Sequence, residues 1–102
     1  MKRIIDGKKY DTDTAKAVGF YTDGRSWRDF GHVEETLYLK KTGEFFLYGE
    51  GGPASMYSEY ASDNSFRAGE RIIPYSEEDA KRWAEKRLNG DTYERIFGEV
   101  EE

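Results

Sequence analysis

The chain has no cysteine, one histidine and two prolines in 102 residues. Without cysteine there can be no disulfide framework and no thiolate metal site, which fits a cytosolic protein. With a single histidine, any metal centre would need carboxylates for its other ligands, and neither HxH nor HExxH spacing occurs. A hydrolytic triad would have to use His32, yet no GxSxG elbow accompanies it, so His32 reads as a structural or surface residue. No run approaches the roughly 18 apolar residues that span a membrane. Met1-Lys2-Arg3 is basic, but Ile4-Ile5 is followed at once by Asp6, which is not the pattern of a signal peptide. Neither a cofactor nor a metal is expected.

Positive charge is also short. Residues 1–51 balance nine Lys/Arg against nine Asp/Glu, whereas residues 52–102 set seven against twelve and carry the whole net charge of −5. An acidic half disfavours phosphate-driven binding of nucleic acid and leaves room for a basic protein partner. Aromatic residues are what the chain has in abundance, at 16% against 36% for all hydrophobic residues. Large rings bury much area each, so one small core in one domain, residues 1–102, is expected.

The strongest pattern lies between Thr36 and Pro53. Leu37 and Leu39 alternate with Thr36, Tyr38 and Lys40, then Phe45 and Leu47 alternate with Glu44, Phe46 and Tyr48, with Lys41-Thr42-Gly43 as the break. That pattern predicts a hairpin over 36–48. Aromatics on both faces of its second strand place that strand mid-sheet or beneath a helix on one side. Gly49-Glu50-Gly51-Gly52-Pro53 is expected to end it abruptly. Lys2–Ile5 and Lys8–Tyr10 read as short strands around an Asp6-Gly7 turn, and Arg71-Ile72-Ile73 as another strand. Asp11 to Thr14 offer caps for a short helix through Ala15, Ala17 and Val18, closed by Gly19. Phe20 to Val33 reads as a loop, with covering one side of the sheet preferred over exposed recognition. Ala54, Met56, Tyr57 and Tyr60 suggest a turn or two of helix after Pro53, and Ala61–Gly69 a loop.

The C-terminal part is helical by pattern. Ser76-Glu77-Glu78-Asp79 has the form of a capping box, and Ala80, Trp83, Ala84 and Leu88 make one apolar stripe over 76–88. A second helix over 91–97 is predicted with Asp91 as cap, Glu94 completing a box, and Tyr93, Ile96 and Phe97 as stripe. Gly98 ends it, and Glu99–Glu102 form an acidic tail. The predicted fold is α+β: a small antiparallel sheet of three to five strands with both helices packed on it and Trp83 against the hairpin.

Three stretches, MKRIIDGKKYDTDTA, LYLKKTGEFFLYGEGGPAS and IIPYSEEDAKRWAEK, resemble a family of short proteins from bacterial phages, conjugative elements and their hosts. The resemblance runs from Met1 to about Lys86 and implies a mobile-element accessory protein in a bacterial cytoplasm. It supplies no catalytic residue. The functional expectation is a non-enzymatic binding module that blocks a host defence machine such as a CRISPR effector, in the manner of an anti-CRISPR protein, acting as a monomer or homodimer. Candidate partner-binding residues are Glu77, Glu78, Asp79 and Glu85, with Tyr21 and Trp27 among the aromatics. The alternative is a small-ligand or enzymatic site on Gly49–Gly52, which has the strand-to-helix context of an anion cradle but carries Glu50 inside it and lacks a GK[ST] ending.

Overall fold

In a computed structural model describing all 102 residues, the chain forms β1 (Lys2–Ile5), β2 (Lys8–Asp11), β3 (Lys16–Thr22), β4 (Val33–Leu39), β5 (Phe45–Gly51), β6 (Glu59–Tyr60), β7 (Phe66–Arg67) and β8 (Gly69–Tyr75), then α1 (Glu77–Arg87) and α2 (Gly90–Phe97). The main sheet is antiparallel with order β3-β4-β5-β8, and β1-β2 and β6-β7 are separate small hairpins. The architecture is the α+β one that the patterning predicts.

Local signals account for much of this. Asp6 and Gly7 both take positive φ, the tight turn that Asp-Gly favours, and set Ile5 opposite Lys8. Leu39 pairs with Phe45 across the Lys40–Glu44 turn. The alternation on β4 and β5 then puts Leu37, Phe45 and Leu47 on one face, where Ala80, Trp83 and Ala84 of α1 bury them. Phe46 and Ile72 point to the other face, under Tyr10 of β2. The Tyr10 and Phe46 rings meet edge to face at 5.6 Å. β5 is therefore covered on both sides, and it is a central strand as its aromatics require.

The capping box of α1 forms as the sequence predicts. The Ser76 side chain accepts from the Asp79 N–H at 3.0 Å, and the Asp79 carboxylate accepts from the Ser76 N–H at 3.4 Å. The cap of α2 is Asn89 rather than Asp91: its side chain accepts from the Thr92 N–H at 2.9 Å. Gly90 consequently opens α2, and Glu94 forms no box. Its carboxylate accepts from the Val100 N–H at 2.9 Å and ties down the tail.

Two predicted helices are absent. Residues 16–18 belong to β3 and Ala15 to the turn before it, with Gly19 inside the strand next to a bulge. A helix this short cannot repay its own nucleation, whereas Lys16–Thr22 gains a full ladder with β4. Gly19 lies against Trp83 and Leu88: a Cβ there would lie 2.8 Å from Leu88 Cδ1 and 3.2 Å from Trp83 Cζ3. Asp11 caps a turn instead, its carboxylate accepting from the Asp13 N–H at 2.9 Å. After Pro53 the chain makes successive turns rather than a helix, because Tyr57 is drawn inward to a buried partner. The predicted loop at 61–69 supplies the tip, residues 61–65, and the second strand of the β6-β7 hairpin, whose first strand is Glu59–Tyr60.

Candidate functional site

Glu35 shares a face of β4 with Leu37 and Leu39, so the alternation that builds the core also carries a carboxylate into it. Glu35 is 4% exposed. A buried carboxylate is costly unless donors surround it. The Trp83 indole N–H donates to Oε1 at 3.0 Å, the Tyr57 hydroxyl donates to Oε2, and Arg87 Nε lies 3.7 Å from Oε1. Burial, and then the bond to Glu35, push the Tyr57 hydroxyl pKa up. One carboxylate thus joins β4, the 52–58 segment and α1. With both oxygens engaged by the protein it is a structural node. Its sequence signal was the phase it shares with Leu37 and Leu39.

The glycine stretch serves the same node. Gly49 and Gly51 are residues of β5, not an abrupt exit from it. A Cβ at Gly49 would fall 2.0 Å from Tyr57 Cζ, and one at Gly51 2.2 Å from Ser55 Oγ. The Gly52 N–H donates to the His32 carbonyl at 3.1 Å. The space an anion would need is filled by protein, and Gly51→Val would damage the fold rather than leave it intact. The three glycines give way to their neighbours, not to a ligand.

At one end of the main sheet Thr22 faces Glu34, Val33 faces Gly51, and Gly51 faces Gly69. The 23–32 loop and the 52–68 segment both leave from this end. Of the eight exposed large apolar residues, Trp27, Phe30, Met56, Tyr60 and Phe66 lie on these connections, and Phe20 lies on β3 near them. The 23–32 loop does not cover the sheet: Trp27 is 74% and Phe30 70% exposed. The helices and the β1-β2 hairpin already occupy the two faces. The connections are nevertheless held in place. The Ala54 N–H donates to the Phe30 carbonyl at 2.7 Å, and Arg71 Nη2 donates to the Met56 carbonyl at 2.7 Å. Tyr60 and Phe66 pack edge to face at 5.8 Å.

Beside these aromatics runs a row of carboxylates. Glu34 pairs with Glu50 across β4-β5, and Glu50 pairs with Glu70 across β5-β8. The side chains share the face opposite the helices. The Tyr48 hydroxyl lies 3.1 Å from Glu50 Oε2 and also reaches Glu70. None of the three carboxylates has a Lys or Arg within ion-pair distance. Burial and the facing Glu50 raise the Glu34 pKa, and burial with both neighbouring carboxylates raises that of Tyr48. Glu50, Glu59, Glu70 and His32 line an open depression of about 360 Å³ at this end. His32 is tethered by its Nδ1, 2.8 Å from the Asp29 carbonyl oxygen that accepts from it.

Like charges directly opposed across strands destabilise a sheet. Because the Glu34 pKa is raised, its favourable contribution is present in full below the ordinary value of 4.5 and is lost as pH rises through the raised one. Glu34→Gln should therefore match the parent Tm near pH 4 and exceed it by a few degrees near pH 7. Thermal melts at the two pH values check this; a difference that does not vary with pH would remove the like-charge account.

The acidic residues singled out on α1 are arranged differently. Glu77 lies 3.9 Å from Lys81, Glu78 3.6 Å from Arg82 and Asp79 3.4 Å from Arg82. These first-turn charges also suit the helix dipole. Glu85 is exposed and unpaired. Of the aromatics, Trp27 is at the surface, whereas Tyr21 is half-buried against the helix-side core with the Arg87 guanidinium 4.1 Å from its ring. Tyr57 is buried. No helix is long and apolar enough to cross a membrane. Comparison of the chain with protein-family models, curated proteins and solved structures finds no match.

Proposed function

We propose that the chain is a non-enzymatic protein-binding module of a mobile element that inhibits a host defence machine, such as a CRISPR effector, by direct binding. The observation that carries this reading is the gathering of Trp27, Phe30, Met56, Tyr60 and Phe66 on braced connections at one end of the sheet. Exposed aromatics and methionine on a rigid frame are what protein interfaces use as anchors, since little ordering entropy is lost when they dock. Net charge of −5 favours a basic partner, and nucleic-acid-handling effectors present basic channels. The buried carboxylate is engaged on both oxygens by protein donors, which favours binding over acid–base chemistry.

The test is a tagged pull-down from a CRISPR-bearing bacterial lysate, followed by a cleavage assay with the purified effector. Stoichiometric recovery of an effector and loss of its target cleavage are expected. Recovery of no protein, or undiminished cleavage by a saturated effector, would overturn the reading. Trp27→Ala and Phe30→Ala together should weaken capture by at least about tenfold while leaving the thermal melt unchanged.

A further inference from the structure

We infer that the loop end receives an arginine-bearing basic segment of the protein partner, laid across the carboxylate row and against the aromatics that flank it. This rests on the binding-module reading and adds the surface and the chemistry of what it takes. The aromatics mark the surface. Phe20 is 56% exposed on the face that carries the row, two register positions from the Thr22–Glu34 pair. On the far side, Tyr60 and Phe66 form the β6-β7 hairpin, and the neighbouring Glu59 lines the same depression as Glu50 and Glu70.

Charge complementarity selects the occupant. Glu34, Glu50 and Glu70 succeed one another on adjacent strands, so the row spans about 10 Å at the usual strand spacing. They do not converge on a point that a metal ion could occupy. An extended line of negative charge suits an extended segment with several cations. Arginine fits better than lysine, because its planar guanidinium bonds carboxylates in a forked geometry and stacks on aromatic rings at the same time. Most of the acidic residues on α1 are already partnered, Glu77, Glu78 and Asp79 by Lys81 and Arg82, and Glu59 has Arg67 at 3.2 Å; Glu85 is unpaired but single. The row is where a guanidinium gains most and displaces no existing ion pair.

The probe is a capped peptide of alternating arginine and glycine, about eight residues long, titrated at low salt into the isotope-labelled chain and followed by amide chemical shifts. Shifts are expected at Phe20, Glu34, Glu50, Tyr60, Phe66 and Glu70. Combined Glu34→Gln, Glu50→Gln and Glu70→Gln should raise Kd at least about tenfold, and the matching lysine peptide should bind the parent more weakly. Glu77→Gln with Glu78→Gln and Glu85→Gln should change Kd by less than about twofold. The row substitutions relieve like-charge pairs, so the variant should remain folded, which its amide spectrum reports. Shifts centred on α1, no shifts at all, or a folded row variant that binds as the parent does would each overturn the inference. Capture of a protein partner equally by parent and row variant would overturn it while leaving the binding-module reading intact. Peptide binding at the row without any captured partner would overturn that reading and not the surface.

Discussion

Trp83→Ala should leave most of the chain unfolded at room temperature or close to it. The indole is 7% exposed and packs in the cluster of Leu37, Phe45, Leu47, Ala80 and Ala84. Truncating a buried tryptophan to alanine costs ~3–5 kcal/mol through lost transfer energy and the cavity left behind. Here the indole N–H also supports Glu35, so truncation leaves a buried carboxylate short of a donor, at a further ~1–3 kcal/mol. A domain of this length holds only about 5–15 kcal/mol in total. The expected fall in Tm is roughly 15 °C or more. Trp83→Phe restores most of the bulk without the N–H. Its melt should fall between the two, and its remaining deficit measures the bond to Glu35. A Trp83→Ala variant melting within a few degrees of the parent would show that the node is not what joins α1 to the sheet.

Gly49→Ala should be nearly as damaging, although it adds one methyl. The new Cβ would overlap the Tyr57 ring, whose atoms stand 2.0–2.3 Å from its position. Tyr57 is 2% exposed and holds Glu35 through its hydroxyl, so the ring has nowhere to retreat without releasing the carboxylate. The cost should reach or exceed the ~1–3 kcal/mol typical of overpacking. A double-mutant cycle separates this clash from a general intolerance of β5. With Tyr57→Ala already in place, Gly49→Ala should cost much less, because the atoms it collides with are gone. Additive effects in urea unfolding would contradict the clash. Loss of Tyr57 should also loosen the 52–58 segment, which presents Met56, and weaken partner capture in parallel.

These two sites show where sequence reading reaches its limit. Trp83 was legible as a core residue, since helical spacing with Ala80 and Ala84 puts it on the buried stripe. Its bond to Glu35 was not, because nothing local relates α1 to β4. Glu35 was half legible: strand alternation places it beside Leu37, but a carboxylate there reads as a lead-in residue until its donors are known. Gly49 and Gly51 read as a loop because glycine disfavours strands, whereas Tyr57 and Ser55 need the space they leave. Trp27 is exposed and Tyr57 buried, although the 20–33 loop read as covering the sheet and 54–60 as a short helix. Both lie in irregular stretches, where no period assigns a face.

What the amino-acid sequence determined by itself was whatever nearest neighbours settle. The Asp6-Gly7 turn, the alternation on both sides of Gly43, the Ser76–Asp79 box and the stop at Gly98 each need only a few consecutive residues, so they fix the β1-β2 and β4-β5 hairpins, the helices and the α+β class. The tertiary structure decided the rest. It made β3 a strand by offering it β4 as a partner, since a ladder outweighs a five-residue helical tendency. It aligned Glu34, Glu50 and Glu70, which come into line only through the register of three strands. It also sent Trp27, Phe30, Tyr60 and Phe66 outward at one end, because the helices and the β1-β2 hairpin had taken both faces of the sheet.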